Sequence, residues 1–151
     1  MKVVVSVSED KTEYVKNCLT EHGIEISETA EYMITEASKR KSAAFLSVRN
    51  EKKEHMHLSP DEVLYVEAFG KDIEIHTDQE TYFSLDRMYE LENLLDPQEF
   101  LRVSKSVIIS RKHVKKIRPS LSMKYVLTLT DGTLIDVTRS YYSDFRRFFR
   151  I

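Results

Sequence analysis

The sequence is poor in residue types that support redox, cofactor or membrane functions. Its one cysteine, Cys18, cannot form an internal disulfide, which suits a reducing compartment. The three glycines stand apart at positions 23, 70 and 132, so neither a P-loop nor a dinucleotide-binding fingerprint exists. The apolar runs are only a few residues long, far short of the roughly 20 residues that span a bilayer.

The first residues also lack the features of a secretory signal. The segment from Met1 to Ser6 carries one cation and is not followed by the apolar core of about 7 to 15 residues that such signals need. We therefore expect a cytoplasmic protein with no membrane partner.

The sequence contains none of the residue groupings that usually announce an enzyme. Cys18 has no nearby motif that supplies a base. His55 and His57 could share one face of a strand, but no cysteine or third histidine stands near them to complete a zinc site. We expect a protein without catalytic residues, bound metal or cofactor.

Charge is segregated along the chain although the net charge is only −2. Residues 61–99 contain twelve Asp or Glu and two cations, whereas residues 100–130 contain eight cations and no acid. Both signs usually alternate on a solvated surface, so this separation points to a basic face and an acidic face.

A polar stretch from Glu51 to His55 predicts a boundary between two modules. Residues 1–55 form the first, a small α/β segment, and residues 56–151 form the second. In the first module we expect a strand at 2–7, a helix capped by Ser27 that contains Tyr32, Met33 and Ala37 and has Lys39, Arg40 and Lys41 near its end, and a closing strand at 43–48. Residues 12–26 fit either a helix and a strand or two strands.

The second module alternates apolar and polar residues with the period of β-strands. We expect strands at 63–68, 73–77, 81–83, 100–103, 107–109, 114–117, 125–129 and 134–137, with turns at Gly70 and at Asp131-Gly132, the latter of type I′. We also expect a helix capped by Ser84 and ended by Asp96-Pro97, and a C-terminal helix capped by Ser140. The fold class is therefore α+β and mostly β.

The basic block offers the arrangement that phosphate contact requires. Cations between Arg102 and Arg118 are interleaved with valines and isoleucines, so one set can pack while the other projects. The same pattern also fits an ordinary cationic surface on a protein whose other face is acidic. Composition alone leaves nucleic-acid binding and that simpler reading open.

The second module resembles the LytTR DNA-binding domain of bacterial response regulators and related stand-alone regulators. The resemblance covers about 57–150 and is carried by Leu64 to Lys71, Phe100 to Ser110, and Val137 to Tyr141, in that order. It implies an elongated, mostly antiparallel β domain that is not a helix-turn-helix reader. It further implies a transcriptional regulator whose loops enter successive major grooves of double-stranded DNA at paired direct repeats in promoters.

The resemblance also implies site residues. Lys71, Lys105 and Arg139 are the expected base readers, since lysine and arginine suit the O6 and N7 acceptors of guanine. The expected phosphate contacts are Arg102, Ser104, Ser106, Lys112 and Lys115. Arg102 and Arg139 have an alternative, structural role in which they pair with Glu67 or Asp136.

Residues 1–55 are too short for the doubly wound receiver domain that usually precedes this fold. We expect this segment to support homodimerisation or partner contact, because its size is marginal for independent folding. The alternative functions are a protein-interaction module with a basic face, and an RNA binder. Single-strand readers expose stacking rings, whereas the rings of 141–149 have the spacing of a buried helix face, so duplex DNA is favoured.

Overall fold

The computed structural model describes residues 1–36, 42–122 and 124–151, which fall into two compact units. The first unit is Met1–Lys41 and the second is Ser42–Ile151. The described residues form three sheets, one in the first unit and two in the second.

A small parallel sheet and one helix make up the N-terminal unit. Strand β1 (Lys2–Ser6) lies between β2 (Glu25–Ile26) and β3 (Tyr32–Thr35), and helix α1 (Glu9–Glu21) follows β1. The segment 12–26 is therefore a helix followed by a strand, the first of the two alternatives. This unit has the expected α/β character.

The predicted helix beginning at Ser27 is wrong. Tyr32 to Thr35 is strand β3, which pairs in parallel with β1 from Val3↔Tyr32 to Ser6↔Thr35. The Ser27 hydroxyl instead accepts a hydrogen bond from the Thr29 amide at 3.2 Å and closes a local turn. Pairing with β1 outweighed the helical spacing, as tertiary context often does. The remainder of that prediction, Ala37 and 39–41, lies outside the described residues.

The second unit is built on a seven-stranded antiparallel sheet with the order β5-β4-β8-β7-β6-β10-β9. Its strands are β4 (Leu46–Arg49), β5 (His55–Leu58), β6 (Tyr65–Phe69), β7 (Asp72–His76), β8 (Thr81–Ser84), β9 (Phe100–Arg102) and β10 (Val107–Ser110). The division between the units falls after Lys41, ahead of the boundary expected near residue 55, because β4 pairs with β5 and β8.

A three-stranded antiparallel sheet completes the β structure. It contains β11 (Val114–Ser120), β12 (Lys124–Leu129) and β13 (Leu134–Val137) in that order. The expected hairpin at Asp131-Gly132 is present, but Leu129 and Thr133 pair across a three-residue loop rather than a two-residue type I′ turn. Gly132 supplies the positive φ of 88° that such a loop requires at its last position.

Two short helices cover the sheets, and both begin later than the sequence predicted. Helix α2 is Met88–Leu94. Ser84 is the last residue of strand β8 and does not cap the helix. Helix α3 is Tyr142–Phe149, and Ser140 lies in a 3₁₀ turn, Arg139–Tyr141, before it. Two further 3₁₀ turns occur at Pro60–Glu62 and Arg111–His113. No helix within the described ranges is long and apolar enough to cross a membrane.

The seven-stranded sheet separates two hydrophobic cores. Val66 and Ile108 face one core together with α2, whereas their neighbours Tyr65 and Ile109 face the other. The second core holds side chains of the three-stranded sheet and of α3, with Phe145 fully buried. This mostly β, antiparallel arrangement with short helices confirms the expected α+β class.

Candidate nucleic-acid interface

Three connections meet at one end of the seven-stranded sheet. The Ala68 amide donates to the carbonyl of Ser106 at 2.8 Å, which places the β6–β7 turn beside the β9–β10 loop. The Thr138 amide donates to the carbonyl of Val103 at 3.0 Å, which brings the start of the β13–α3 connection to that loop. The structure therefore gathers the loops that carry the three expected base readers.

The side chains of Lys71, Lys105 and Arg139 are free to meet a ligand at this end. All three residues are exposed, and none forms an ion pair with a carboxylate in the described part of the chain. Three separate loops thus present three cations, which is the donor chemistry that guanine edges accept. We call this surface the three-loop end.

Backbone and serine hydrogen bonds fix the shape of the β9–β10 loop. The buried Val103 donates its amide to the Val107 carbonyl at 2.9 Å. Ser104 is only 8% exposed, and its hydroxyl accepts a hydrogen bond from the Ser106 amide at 3.3 Å. This leaves Lys105 as the projecting residue of the loop, while Ser104 has little surface to offer a phosphate.

Arg102 stabilises the same loop through hydrogen bonds from its guanidinium. Its Nε donates to the Ser104 carbonyl at 3.2 Å, and its guanidinium also donates to the Lys105 carbonyl. A third contact joins its Nη1 to the Glu92 carboxylate of α2 at 3.1 Å. The structural partner of Arg102 is therefore Glu92, not Glu67 or Asp136 as the sequence suggested. Its role at a phosphate stays a prediction.

The position of Arg139 depends on how α3 is anchored. Arg139 opens the 3₁₀ turn that leads into α3, and the turn is closed by the Tyr141 amide donating to the Thr138 carbonyl at 3.0 Å. The ring of Phe145 lies 5.0 Å from that of Tyr125 in strand β12. Rings of α3 thus tie the helix, and with it the turn that carries Arg139, to the sheet.

Arg111 also anchors α3, a role that the sequence analysis missed when it counted this residue with the basic block. Its guanidinium lies 4.1 Å from the centroid of the Phe148 ring and donates to the Phe148 carbonyl. An arginine over an aromatic face contributes about 0.5–1 kcal/mol at an exposed site. Arg111 and Phe148 are far apart in the sequence, so no local pattern indicates this contact.

Lys112 and Lys115 lie away from the three-loop end. Lys112 belongs to the 3₁₀ turn that follows β10, at the strand end opposite Lys105, and its Nζ lies 3.1 Å from Asp61 Oδ1. Lys115 is exposed in β11, at the register shift between Val114 and Lys116. The structure therefore does not bring these two expected phosphate contacts together with Lys71, Lys105 and Arg139.

The β4–β5 turn, which contains most of the polar stretch 51–55, lies toward the other end of the sheet. Arg49 and Glu74 both pair with Phe83, and β4 runs in the same direction as β7, so the chain that leaves β4 continues toward the level of His76 and away from the turn that holds Lys71. The strand register therefore does not place the exposed Lys52 and Lys53 of this turn with Lys71, Lys105 and Arg139.

Solved structures support the fold. A LytTr DNA-binding domain from Bacillus cereus matches with a TM-score of 0.68 at 24% sequence identity, over 73% of this chain and 100% of that chain. At this identity the match concerns the architecture. It covers a share of the chain similar to that of the second unit.

Two curated relatives are similar in sequence. Transcriptional regulatory protein LytR of Staphylococcus aureus (strain N315) is 33% identical over 72 residues, which cover 48% of this chain and 29% of that protein. Sensory transduction protein LytT of Bacillus anthracis is 29% identical over 91 residues, which cover 60% of this chain and 37% of that protein. The matched region thus spans about a third of the length of these relatives.

The family comparison covers most of the second unit. The sequence model of the LytTr DNA-binding domain matches residues 53–150, which include β6 to α3 and therefore every loop of the three-loop end. The expected resemblance is confirmed. This chain belongs to the LytTr DNA-binding domain family.

Proposed function

We propose that this protein is a sequence-specific regulator of transcription that reads the major grooves of double-stranded DNA with the three-loop end. The observation that carries the proposal is the convergence of three exposed, unpaired cations, Lys71, Lys105 and Arg139, on three separate loops of a LytTr DNA-binding domain. Each is assigned to a base edge.

The chemistry of these cations sets what they read. Arg139 presents a planar fork that can donate twice to O6 and N7 of one guanine, whereas Lys71 and Lys105 each act as a point charge. A bidentate pair contributes about 1–3 kcal/mol of discrimination against the wrong base. Arg139 is therefore the strongest specificity determinant of the three.

Phosphate contacts position the domain without reading sequence. Lys112, Lys115 and Ser106 have exposed or partly exposed side chains and are assigned this role. Arg102 and Ser104 are engaged within the protein, so both hold Lys105 in place. Arg102 is also assigned a phosphate contact, whereas the small exposed surface of Ser104 limits it to a minor one. The cations of β11 extend the positive surface beyond the three loops.

The target is proposed to be a pair of direct repeats in a promoter, bound by two copies of the chain. The N-terminal unit is the part assigned to self-association or partner contact, because about 40 residues bury too little surface to be stable alone. Sedimentation of the full chain and of residues 42–151 tests this assignment. Loss of a dimer on truncation supports it, and an unchanged oligomeric state counts against it.

Selection from a random duplex library tests the reading of sequence. We expect the full chain to enrich a defined site that it binds at least about 1,000-fold more tightly than random duplex at matched salt. Enrichment of no common sequence would contradict base reading. Binding only to single-stranded or RNA competitors would contradict the choice of ligand.

A further inference from the structure

Three metal-ligating side chains converge on the β6–β7 hairpin, outside the three-loop end. They are Glu67 of β6, and Glu74 and His76 of β7, and one ligand atom from each lies within 4.8 Å of the others. All three residues are partly buried on the sheet face that also carries Tyr65. We call them the hairpin triad.

The two carboxylates of the hairpin triad repel one another because of their positions in the sheet. Glu67 and Glu74 are direct cross-strand partners, and like charges placed opposite each other destabilise a sheet. Among the described residues, no lysine or arginine forms an ion pair with either of them. The pair therefore needs a positive charge from another source.

The imidazole of His76 is oriented toward the carboxylates and is left without a hydrogen bond. Its Nε2 is buried and has no hydrogen-bond partner, although Glu74 Oε2 lies at 3.2 Å and Glu67 Oε2 at 3.8 Å. These oxygens are close to Nε2 but outside the direction in which an N–H would donate. A buried ring nitrogen in this state costs free energy unless something else satisfies it.

The distances from His76 Nε2 to the two carboxylates match those between ligands of a divalent transition metal. Zn–N and Zn–O bonds of about 2.0–2.2 Å in a tetrahedron place two ligand atoms about 3.4 Å apart. The observed separations of 3.2 and 3.8 Å lie on either side of that value. Imidazole with carboxylates favours Zn²⁺ and similar ions over Mg²⁺ or Ca²⁺, which prefer oxygen ligands alone.

The neighbours of His76 hold its ring in the orientation that a ligand needs. Its Nδ1 lies 3.3 Å from Thr81 Oγ1, and in the tautomer in which Nδ1 donates to that hydroxyl, Nε2 keeps its lone pair. The ring stacks on Tyr65 with a centroid distance of 4.2 Å. Metal-binding histidines typically have such a second hydrogen bond.

We propose that the hairpin triad is a binding site for one divalent transition-metal ion of the Zn²⁺ class, with water completing its coordination. The ion offsets the repulsion between Glu67 and Glu74 and satisfies His76 Nε2. It also links β6 to β7 and stiffens the turn that carries Lys71.

One consequence rests on the proposed function. If Lys71 reads DNA, a dication on the hairpin offsets the negative charge of Glu67 and Glu74 on the same hairpin and favours approach of a polyanion. Metal binding can be measured in the absence of DNA. A failure of DNA binding and a failure of the metal site can therefore be told apart.

Calorimetric titration of the full chain with Zn²⁺ at pH 7.5 tests the site, together with thermal unfolding. We expect one ion per chain, and a rise in Tm of about 5–10 °C at a Zn²⁺ concentration roughly 100-fold above Kd. E74Q and H76Q should each weaken binding by about 10-fold or more. E74Q keeps the ring stack on Tyr65, so it remains informative if H76Q folds poorly.

The histidine pair of strand β5 supplies the matched control. The double variant H55Q/H57Q removes two exposed histidines that could hold Zn²⁺ on the surface, and it should leave binding unchanged. Binding that survives in E74Q but disappears in H55Q/H57Q would overturn the proposal. So would the absence of saturable Zn²⁺ binding to the folded chain.

Discussion

Arg102 and Glu92 join strand β9 to helix α2 through an ion pair of 3.1 Å. The same guanidinium donates to the carbonyls of Ser104 and Lys105, so one side chain connects the helix to the loop that presents a proposed base reader. Charge-assisted hydrogen bonds of this kind are stronger than neutral ones. The shape of the loop therefore depends on Arg102.

Arg102→Ala should lower the free energy of unfolding by about 1–3 kcal/mol, because it removes two hydrogen bonds from a charged donor and leaves two carbonyls without it. Glu92→Gln is the matched control, since it weakens only the partly exposed ion pair, and it should cost less than about 1 kcal/mol. Urea denaturation of both variants checks this. Equal losses would show that the loop carbonyls do not depend on Arg102.

Arg139→Ala should weaken binding to the selected site by about 1–3 kcal/mol and binding to random duplex much less. The reason is that a base reader contributes only where its base is present. Arg118→Ala, which removes an exposed arginine from β11, is the control and should weaken both complexes alike. If Arg139→Ala also affects both complexes equally, Arg139 contacts a phosphate rather than a base.

Phe145→Ala should cost about 3–5 kcal/mol in stability, since the ring is fully buried between α3 and the three-stranded sheet. Leu134→Ala serves as the control because Leu134 is 65% exposed, and its loss should stay within about 0.5 kcal/mol. Thermal unfolding followed by circular dichroism measures both. A mild effect of Phe145→Ala would mean that α3 is not anchored by its rings.

Glu36 should make the N-terminal unit sensitive to acid. Hydrogen bonds from the Ser8 hydroxyl at 2.6 Å and the Ser8 amide at 3.0 Å, together with Lys11, lower the pKa of Glu36 from 4.5 to about 2. A carboxyl whose folded pKa is lowered stabilises the fold above its ordinary pKa, and this contribution disappears as the pH falls from 4.5 to 2.

Hydrogen exchange of residues 1–36 between pH 5 and pH 2 measures this effect, after correction for the intrinsic exchange rate. In the wild type, protection should fall between pH 5 and pH 2. Glu36→Gln should be less protected at pH 5, and its protection should change less as the pH is lowered. Ser8→Ala, which removes the shorter hydrogen bond, should give an intermediate curve. The same pH dependence in Glu36→Gln as in the wild type would assign the acid sensitivity to another group.

Most of the second unit could be predicted from the sequence because several of its strands alternate apolar and polar residues. Alternation in Ile73 to Thr77 and the turn glycines at 70 and 132 locate strands and hairpins without knowledge of their partners. The ordered LytTr motifs then imply a mostly antiparallel β domain, which periodicity alone does not reveal, whereas the order of the strands comes from the structure.

The errors fall where distant contacts outweigh local preference. Tyr32 and Met33 have helical spacing, yet they pair with β1, a contact that local pattern does not encode. The polar stretch 51–55 suggests a boundary between modules, but it connects β4 to β5 within one sheet because Asn50 and Glu54 close a hairpin. The hairpin triad was also missed, since Glu67 and Glu74 become neighbours only when β6 and β7 pair.

The salt dependence of binding to the selected duplex tests the central claim most directly, with the full chain shown to be folded at every salt concentration. If about six phosphates are neutralised, log K should fall against log salt with a slope of about −5. The preference for the selected site over random duplex should persist at each salt concentration. A folded protein that binds no duplex even in dilute buffer would contradict the account.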